Sequence, residues 1–239
     1  MNLLATSGLT RRFGGLVAVN AVDFDLPAGE VRALIGPNGA GKSTFVGLIS
    51  GRIAASAGRV MFDGADVTNL PAHRRIAAGM AYTFQITSIF ARLPVLENVA
   101  LAARARPGAD LRAADEAARA ALARVGLEGR EQAEAGALSY GHQRLLEIAM
   151  GLAQSPKLLI LDEPTQGLSE SEIAGFKALI GALRGAVTIL LIEHNMSVVM
   201  ETADRITVLD QGAILAEGRP GEIRADRAVQ AAYLGAASC

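Results

Sequence analysis

Apolar and polar residues alternate along this chain in a way that predicts strands and helices following one another. Short apolar stretches of strand length occur at residues 3–8, 15–25, 30–36, 58–63, 80–83, 158–161, 187–192, 206–209 and 213–216. Helical spacing of apolar residues is found between several of them, as in residues 42–50. Strands that alternate with helices favour a mainly parallel sheet with right-handed crossovers, while the strands at the start of the chain are expected to be antiparallel. The pattern therefore predicts an α/β fold.

The middle of the sequence has a different pattern. From about residue 87 to residue 152 it is rich in alanine and helical in its spacing. Asp110 is a suitable N-cap and Gly126 a suitable C′ residue for a helix whose inner face collects Leu111, Ala114, Ala118, Ala121, Leu122 and Val125. A further helix is expected over residues 143–153. We therefore predict a single domain, residues 1–239, built from a catalytic α/β core (1–86 and 154–239) and an inserted helical sub-domain (87–153).

One later helix has both of its ends marked by side chains. Ser169 and Glu172 have the spacing of a capping box, and Gly185 is expected to stop the helix. The apolar stripe of this helix comprises Ile173, Phe176, Ile180 and Leu183.

Composition restricts the functions open to the protein. It has 239 residues and a net charge of −1, so it lacks the basic excess typical of a general nucleic-acid binder. The single cysteine, Cys239, can form neither an internal disulfide nor a multi-cysteine metal site, which fits a reducing compartment. No apolar run approaches the roughly 18 residues of a membrane span, and the start lacks a secretory-signal pattern. We therefore expect a globular cytosolic protein.

Residues 36–44, G-P-N-G-A-G-K-S-T, match the phosphate-binding pattern G-x-x-x-x-G-K-[ST] in full, between a predicted strand and a predicted helix. Glycines let successive backbone N–H groups turn toward one anion, and the helix start adds a partial positive charge. Lys42 is expected to reach the outer phosphates and the Ser43 hydroxyl to ligate Mg²⁺. Only three of the 23 basic residues are lysines, so a lysine here favours a chemical requirement. The predicted nucleotide-binding set is Gly36, Pro37, Asn38, Gly39, Ala40, Gly41, Lys42, Ser43 and Thr44.

A second half of the site is predicted where the strand at 158–161 ends, because Asp162 and Glu163 follow it directly. Acidic residues at the carboxyl end of a core strand face the ligand crevice of an α/β sheet. Asp162 is expected to hold Mg²⁺, through water. Glu163 is expected to polarise the attacking water as general base, a role worth about 10²–10⁴-fold in rate.

The nucleotide is expected to be ATP. The sequence contains no N-K-x-D guanine-binding motif. Phe13, next to Gly14 and Gly15, is placed to stack on an adenine ring, and simple packing on this turn is the alternative for the same residue.

Five short motifs, in order and spanning nearly the whole sequence, resemble those of the ATP-binding-cassette (ABC) ATPases. They are the Walker A loop at 36–44, the Q-loop at Gln85, the signature at 138–142, the Walker B strand at 158–162 and the switch histidine His194. The resemblance implies an ABC-type fold, in which a helical sub-domain is inserted into a P-loop nucleotide-hydrolase core. It also implies hydrolysis of ATP with Mg²⁺.

In that family two cassettes pair head to tail, with each ATP between the phosphate loop of one and the signature of the other. The resemblance implies that Ser139 and Gly141 contact the γ-phosphate of the partner's ATP. It implies that His194 positions the γ-phosphate and the attacking water. Gln85 would be a further Mg²⁺ contact that links the nucleotide to the helical sub-domain.

The sequence departs from the family pattern at three positions. Tyr140 and His142 stand where the usual signature, L-S-G-G-Q, has glycine and glutamine. Ser169 stands where the loop after Walker B usually ends in aspartate. These departures call into question communication between the two sites through that loop, and Ser169 is expected to serve mainly as a helix cap.

A narrower resemblance is to the branched-chain amino-acid importer ATPases, within them to the subunit that carries T-F-Q. It rests on R-F-G-G-L at 12–16, T-F-Q at 83–85, I-E-H-N-M at 192–196 and A-Y-L-G at 232–235, although the segment between Gln85 and Ser139 is short for that subunit. It implies a peripheral protein at the cytoplasmic face of the inner (plasma) membrane. The implied partners are a second ABC ATPase subunit in a homo- or heterodimer, two transmembrane permease subunits and, indirectly, a substrate-binding protein, with no nucleic acid.

The transported solute is chosen by those other subunits, so branched-chain amino acids or a related small polar or carboxylate solute are both compatible with the sequence. Residues 86–99 are expected to help form the groove for a permease helix, or else to be ordinary core. The alternative function is the ATPase of a lipid- or lipopolysaccharide-extracting or exporting ABC system, since I-F-A-R-L at 89–93 also resembles those proteins. An ABC ATPase acting on DNA or ribosomes is disfavoured, because such proteins usually have two cassettes or a long coiled-coil insert and this sequence has neither. A P-loop kinase or GTPase is disfavoured too, because those proteins lack the signature and the switch histidine.

Overall fold

The computed structural model describes residues 2–83, 88–105 and 110–236, which fall into two compact units. The first unit comprises Met1–Arg75 and Arg184–Cys239, and the second comprises Ile76–Leu183. The strands are β1 (Asn2–Phe13), β2 (Leu16–Pro27), β3 (Val31–Ile35), β4 (Ala57–Phe62), β5 (Ala65–Asp66), β6 (Met80–Thr83), β7 (Leu158–Asp162), β8 (Thr188–Ile192), β9 (Arg205–Asp210) and β10 (Ala213–Gly218). The helices are α1 (Lys42–Ser50), α2 (Ala72–Ala77), α3 (Val95–Arg104), α4 (Leu111–Arg124), α5 (Tyr140–Ala153), α6 (Glu170–Leu183), α7 (Met196–Thr202), α8 (Pro220–Ala225) and α9 (Arg227–Ala236), with a 3₁₀ turn at Ala135–Ala137.

The first unit contains an antiparallel layer and a mainly parallel one. In the antiparallel layer the strand order is β2-β1-β4-β5. In the other layer β3 pairs in parallel with β8 on one side and β9 on the other, and β10 closes the edge as an antiparallel hairpin with β9. The predicted mixture of antiparallel strands at the start and parallel core strands is therefore confirmed.

All five residues of β3 are buried, because the strand is paired on both sides, with β8 and with β9. Ala33 and Ile35 join an apolar cluster with residues of α7, β9, α8 and α9. Its one charged residue, Arg32, is buried too, and its guanidinium donates to Thr207 Oγ1 at 3.0 Å and to the Glu217 carboxylate at 3.0 Å. The hydrogen bonds of the buried Arg32 guanidinium therefore link β3 to β9 and β10.

A buried arginine holds the carboxyl end of α1. Arg75 is 2% exposed, and its guanidinium donates to the carbonyl oxygens of Leu48 (2.7 Å), Ile49 (2.5 Å), Thr68 (2.9 Å) and Leu70 (2.9 Å). The last carbonyls of a helix have no partner within the helix and carry a partial negative charge, so a cation there satisfies both needs. Burial lowers the pKa of Arg75.

The second unit contains the parallel pair β6 and β7 and the helices α3, α4 and α5, which pack against one another. Asp110 caps α4 by accepting the N–H of Ala113 at 2.7 Å, and Gly126 follows the helix at φ 74°, both as predicted. Ala114, Ala118, Ala121 and Leu122 face inward, whereas Leu111 is 69% exposed. Leu111 therefore does not belong to the inner face that the sequence predicted, because it occupies the first helical position, beyond the packed part of α4.

Other boundaries bear on the site. Helix α1 has the predicted bounds. Helix α5 begins at Tyr140 instead of residue 143, since the Ser139 hydroxyl caps it. The Ser169–Glu172 capping box is present, with Ser169 N–H donating to Glu172 Oε2 at 2.9 Å and Glu172 N–H donating to Ser169 Oγ at 3.4 Å. The division into a core and a sub-domain at 87–153 stays a prediction.

Candidate functional site

The loop between β3 and α1 has a backbone that only glycine can adopt at two positions. Gly36 has φ 152°, and a Cβ there would lie 2.1 Å from the carbonyl oxygen of Leu209. Gly41 has φ 99°, and a Cβ there would lie 2.4 Å from the carbonyl oxygen of Ala18. Carbonyl oxygens of β9 and β2 therefore exclude a side chain at both positions and fix the course of the loop.

The same loop forms the start of a helix with a lysine beside it. Among the described residues no side-chain group caps α1, and its first turn holds no acidic residue, so the first N–H groups of the helix face outward from its start. Lys42 is 7% exposed and its Nζ donates to the carbonyl oxygens of Gly36 (2.7 Å) and Pro37 (3.0 Å). Of the remaining predicted residues, Ala40 is buried, Pro37 and Thr44 are half-buried, and Asn38, Gly39 and Ser43 are exposed. This arrangement suits a phosphate chain.

The two predicted acidic residues follow β7. Asp162 is 8% exposed and accepts a hydrogen bond from the hydroxyl of Tyr82 on β6. Glu163 is half-buried and has a left-handed backbone, φ 49°, which costs a non-glycine residue about 1–3 kcal/mol. Backbone strain of this kind concentrates at active sites. The contact between Tyr82 and Asp162 was not predictable from the sequence, because the two residues lie 80 positions apart.

The signature residues lie at the start of α5. The Ser139 hydroxyl oxygen accepts the N–H of His142 at 3.2 Å and lies 3.0 Å from His142 Nδ1. Gly141 is buried against the carboxylate of Glu172, since a Cβ at position 141 would lie 2.0 Å from Glu172 Oε1. Hydrogen bonds from Ser169, reinforced by the charge of His142, lower the pKa of Glu172.

The segment after β8 contains a buried acid that sequence analysis did not select. Glu193 is 3% exposed, and its carboxylate accepts the backbone N–H groups of His194 (2.9 Å) and Asn195 (3.0 Å). Asn195 in turn caps α7. His194 is thereby presented at the surface on a fixed turn. The only signal in the sequence was an acidic residue directly before the histidine.

Phe13 lies at the tip of the β1–β2 hairpin, where it pairs with Leu16. Its side chain is 44% exposed, and the Arg11 guanidinium carbon lies 4.5 Å from the centre of its ring. One face of the Phe13 ring therefore contacts the Arg11 guanidinium, so the ring already serves as a stacking surface for a flat group. Gln85 lies outside the described residues.

A tyrosine near the end of the sequence approaches the phosphate loop. Burial raises the pKa of Tyr233, and the backbone of Gly36 opposes that shift by hydrogen bonding. The ring packs against the apolar cluster around β3. Tyr233 belongs to the A-Y-L-G motif at 232–235, but no role at the site was predicted for it.

None of the helices in the described ranges has the length and apolar character that a membrane span requires.

The α/β core and the glycine-rich loop between β3 and α1 define a P-loop nucleotide-binding protein. Residues 19–166 match the family model described as ABC transporter. The chain belongs to the ABC transporter family, and the expected activity, ATP hydrolysis, is confirmed with it.

The narrower resemblance is confirmed as well. Residues 213–238 match the model described as branched-chain amino acid ATP-binding cassette transporter. The protein is 40% identical to the high-affinity branched-chain amino acid transport ATP-binding protein BraF of Pseudomonas aeruginosa and 40% identical to LivG of Escherichia coli K12, in each case over 98% of both sequences. It is also 42% identical, over 90% of its length and 42% of the relative's, to a Burkholderia ambifaria protein named as a putative ribose/galactose/methyl galactoside import ATP-binding protein.

Solved structures confirm the fold. An ATP-binding cassette of an ABC transporter in its ADP conformation superposes with a TM-score of 0.88 at 30% identity, covering 98% of this protein and 99% of the other. A nucleotide-free cassette from an ABC transporter superposes with a TM-score of 0.86 at 29% identity and the same coverage.

Proposed function

We propose that the protein energises uptake of branched-chain amino acids, or of a related small polar or carboxylate solute, through separate permease subunits. The observation that carries this proposal is the match of residues 213–238 to the model of branched-chain amino acid cassettes. Identity alone is insufficient, because a relative named for sugar import is 42% identical over 217 residues. Relatives named for branched-chain amino acid transport, by contrast, align over 98% of both sequences.

ATP is the substrate of the proposed reaction. The turned N–H groups of residues 36–44 and Lys42 bind the phosphates, while Phe13 stacks on the adenine. Glu163 takes the proton of the attacking water, and His194 orients that water and the γ-phosphate. Ser139 and Gly141 complete the site of a partner cassette.

Mg²⁺ is proposed as the cofactor. The Ser43 hydroxyl and the Asp162 carboxylate are the hard oxygen donors that this ion prefers, and Gln85 is the third proposed contact. When bound, the ion neutralises the charge that develops on the β- and γ-phosphate oxygens.

The proposed assembly places the protein at the cytoplasmic face of the inner (plasma) membrane. It pairs with a second ABC ATPase subunit and docks on two transmembrane permease subunits. A substrate-binding protein delivers the solute to those permeases. Residues 86–99 are proposed to supply part of the docking surface, and within them Phe90 is 55% exposed.

Co-purification tests this proposal. We expect the tagged protein, extracted gently from its native membranes, to bring with it two permeases, a second cassette and a binding protein that binds L-leucine in a radioligand assay. A binding protein that prefers a sugar would overturn the proposed solute. A single lipid-handling permease would support the extraction alternative, and ribosomal or DNA-repair proteins would exclude transport altogether.

A further inference from the structure

Tyr140 replaces a glycine of the usual signature and so brings a side chain to a position that has none in the family pattern. It is the first residue of α5, and its ring lies against Gly167 in the turn that follows Glu163. A Cβ at Gly167 would lie 3.0 Å from Tyr140 Cε1, and Gly167 has φ 78°. The ring therefore covers the one residue of this turn that has no side chain.

The hydroxyl of Tyr140 is tied to a buried ion pair. It accepts a hydrogen bond of 3.0 Å from Arg144 Nη2, and the guanidinium carbon of Arg144 lies 5.4 Å from the centre of the tyrosine ring. Arg144 also pairs with Glu147 at 3.0 Å, and the side chains of this pair are only 3% and 5% exposed. Tyr140 is thus fixed by groups that solvent does not reach.

The ion pair reaches a second segment of the protein. Glu147 uses one carboxylate oxygen for Arg144 and the other to accept the backbone N–H of Ser88 at 2.6 Å. Burial raises the pKa of Glu147, while these two partners oppose the shift. Separating Ser88 from α5 would leave a buried carboxylate short of a partner, which is costly.

The segment beginning at Ser88 is held at another point as well. Asn98 on α3 is fully buried, and its side chain accepts the N–H of Phe90 at 2.7 Å and donates to the carbonyl oxygens of Phe90 (3.1 Å) and Pro94 (3.0 Å). An exposed aromatic side chain therefore projects from a backbone that is clamped on both sides. The segment that carries Phe90 is thus bonded to α3 through Asn98 and to α5 through the Ser88–Glu147 bond.

We propose that Tyr140 is a positioning residue that keeps Ser139 and Gly141 in register with the Ser88–Phe90 segment. This connection, the coupling path, consists of Ser88, Glu147, Arg144, Tyr140 and Gly167. The inference rests on the proposed function, in which the signature contacts ATP on a partner cassette and residues 86–99 receive a permease helix. The coupling path transmits the position of the permease helix to the signature.

Tyr140→Phe tests this assignment because it keeps the ring on Gly167 and removes the acceptor for Arg144. In the purified native membrane complex we expect ATP turnover at saturating ATP to fall about three- to tenfold, the rate equivalent of one hydrogen bond. The affinity of the isolated protein for ATP is expected to stay at the wild-type value, because the signature contacts the ATP of a partner cassette. The thermal midpoint is expected to fall by a few degrees, since a buried guanidinium N–H loses its acceptor. A merely structural role would instead lower turnover only in proportion to the loss of folded protein, which thermal unfolding of the same complex measures.

A second variant cuts the coupling path at its other end. Glu147→Gln is expected to lower turnover in the complex to a similar degree and to speed hydrogen exchange at the Ser88 amide. Glu116→Gln makes the same chemical change at an exposed position of α4 and is expected to alter neither quantity. If Glu147→Gln also lowers the thermal midpoint, turnover in the Tyr140→Phe complex decides whether the coupling path or stability alone accounts for the loss.

Wild-type turnover in the Tyr140→Phe complex would overturn the inference, while ATP-dependent uptake by the wild-type complex would leave the proposed function standing. A wild-type complex with no ATP-dependent uptake would overturn both.

Discussion

At the scale of single residues, the side chains proposed for chemistry are held by backbone or buried partners. Glu163 has a left-handed φ of 49°, and Asp162 beside it accepts the hydroxyl of Tyr82. Glu193 orients the backbone of His194 from a buried position. Different side chains are proposed for ATP binding and for ATP hydrolysis. A single substitution is therefore expected to remove one of these steps and leave the other.

Glu163→Gln is therefore expected to abolish turnover while leaving ATP binding in place. The amide keeps the shape of the side chain but cannot take a proton, and loss of a general base costs about 10²–10⁴-fold in rate. Phosphate release measures turnover, and equilibrium dialysis with labelled ATP measures binding.

Lys42→Ala is the control for that experiment, because we expect it to weaken ATP binding itself. Unchanged turnover in Glu163→Gln would remove Glu163 from the role of base.

At the scale of elements, α1 connects the proposed phosphate site to the interior. Its first residue is Lys42, and its last carbonyls lie against the guanidinium of Arg75. The helix is thus anchored at the end opposite the phosphates, on a side chain that a sequence pattern does not distinguish from a surface arginine.

Arg75→Met is expected to lower the free energy of unfolding by about 2–3 kcal/mol, since it leaves helix carbonyls without partners in the interior. In a protein of this length that corresponds to a thermal midpoint lower by about 4–12 °C. Arg74→Met, at the exposed neighbouring position, is the matched control and is expected to have little effect. Equal melting of the two variants would show that the buried guanidinium is dispensable.

The elements also show what a sequence can predict. The bounds of α1, the Asp110 cap and the Ser169–Glu172 capping box were predictable because each depends on residues close in the sequence. The Walker motifs were predictable for the same reason. The exposure of Leu111, the bonds made by Arg75 to α1 and the contact of the Tyr140 ring with Gly167 depend on how the elements pack in three dimensions, so local spacing carries no signal for them.

At the scale of the whole molecule, the predicted motifs are divided between the two units. The phosphate loop and His194 belong to the first unit, while Asp162, Glu163 and the signature belong to the second. In the proposed assembly the signature of one cassette serves the ATP of another, so one cassette alone is not a complete enzyme. The protein also resembles one of two paralogous subunits, which favours pairing with a different cassette.

We expect ATP to bring the Glu163→Gln variant into a dimer with the second cassette that co-purifies with it, and to leave the isolated variant largely monomeric. Blocked hydrolysis keeps ATP in place and so retains the closed form. Sedimentation velocity with and without ATP distinguishes the two states, and Lys42→Ala is the control that should not respond. Ready homodimerisation of the isolated Glu163→Gln variant would rule out obligate pairing with a different subunit.

The crowding around Gly36 and Gly41 has an evolutionary consequence. The neighbours that exclude a side chain there are carbonyl oxygens of Leu209 and Ala18, which belong to the protein and not to the nucleotide. A descendant gene released from selection for ATP hydrolysis would still need both glycines in order to fold, whereas Lys42 and Glu163 could drift. The glycine pattern of this loop is thus a record of ancestry, and the lysine and the glutamate are the better markers of a cassette that still works.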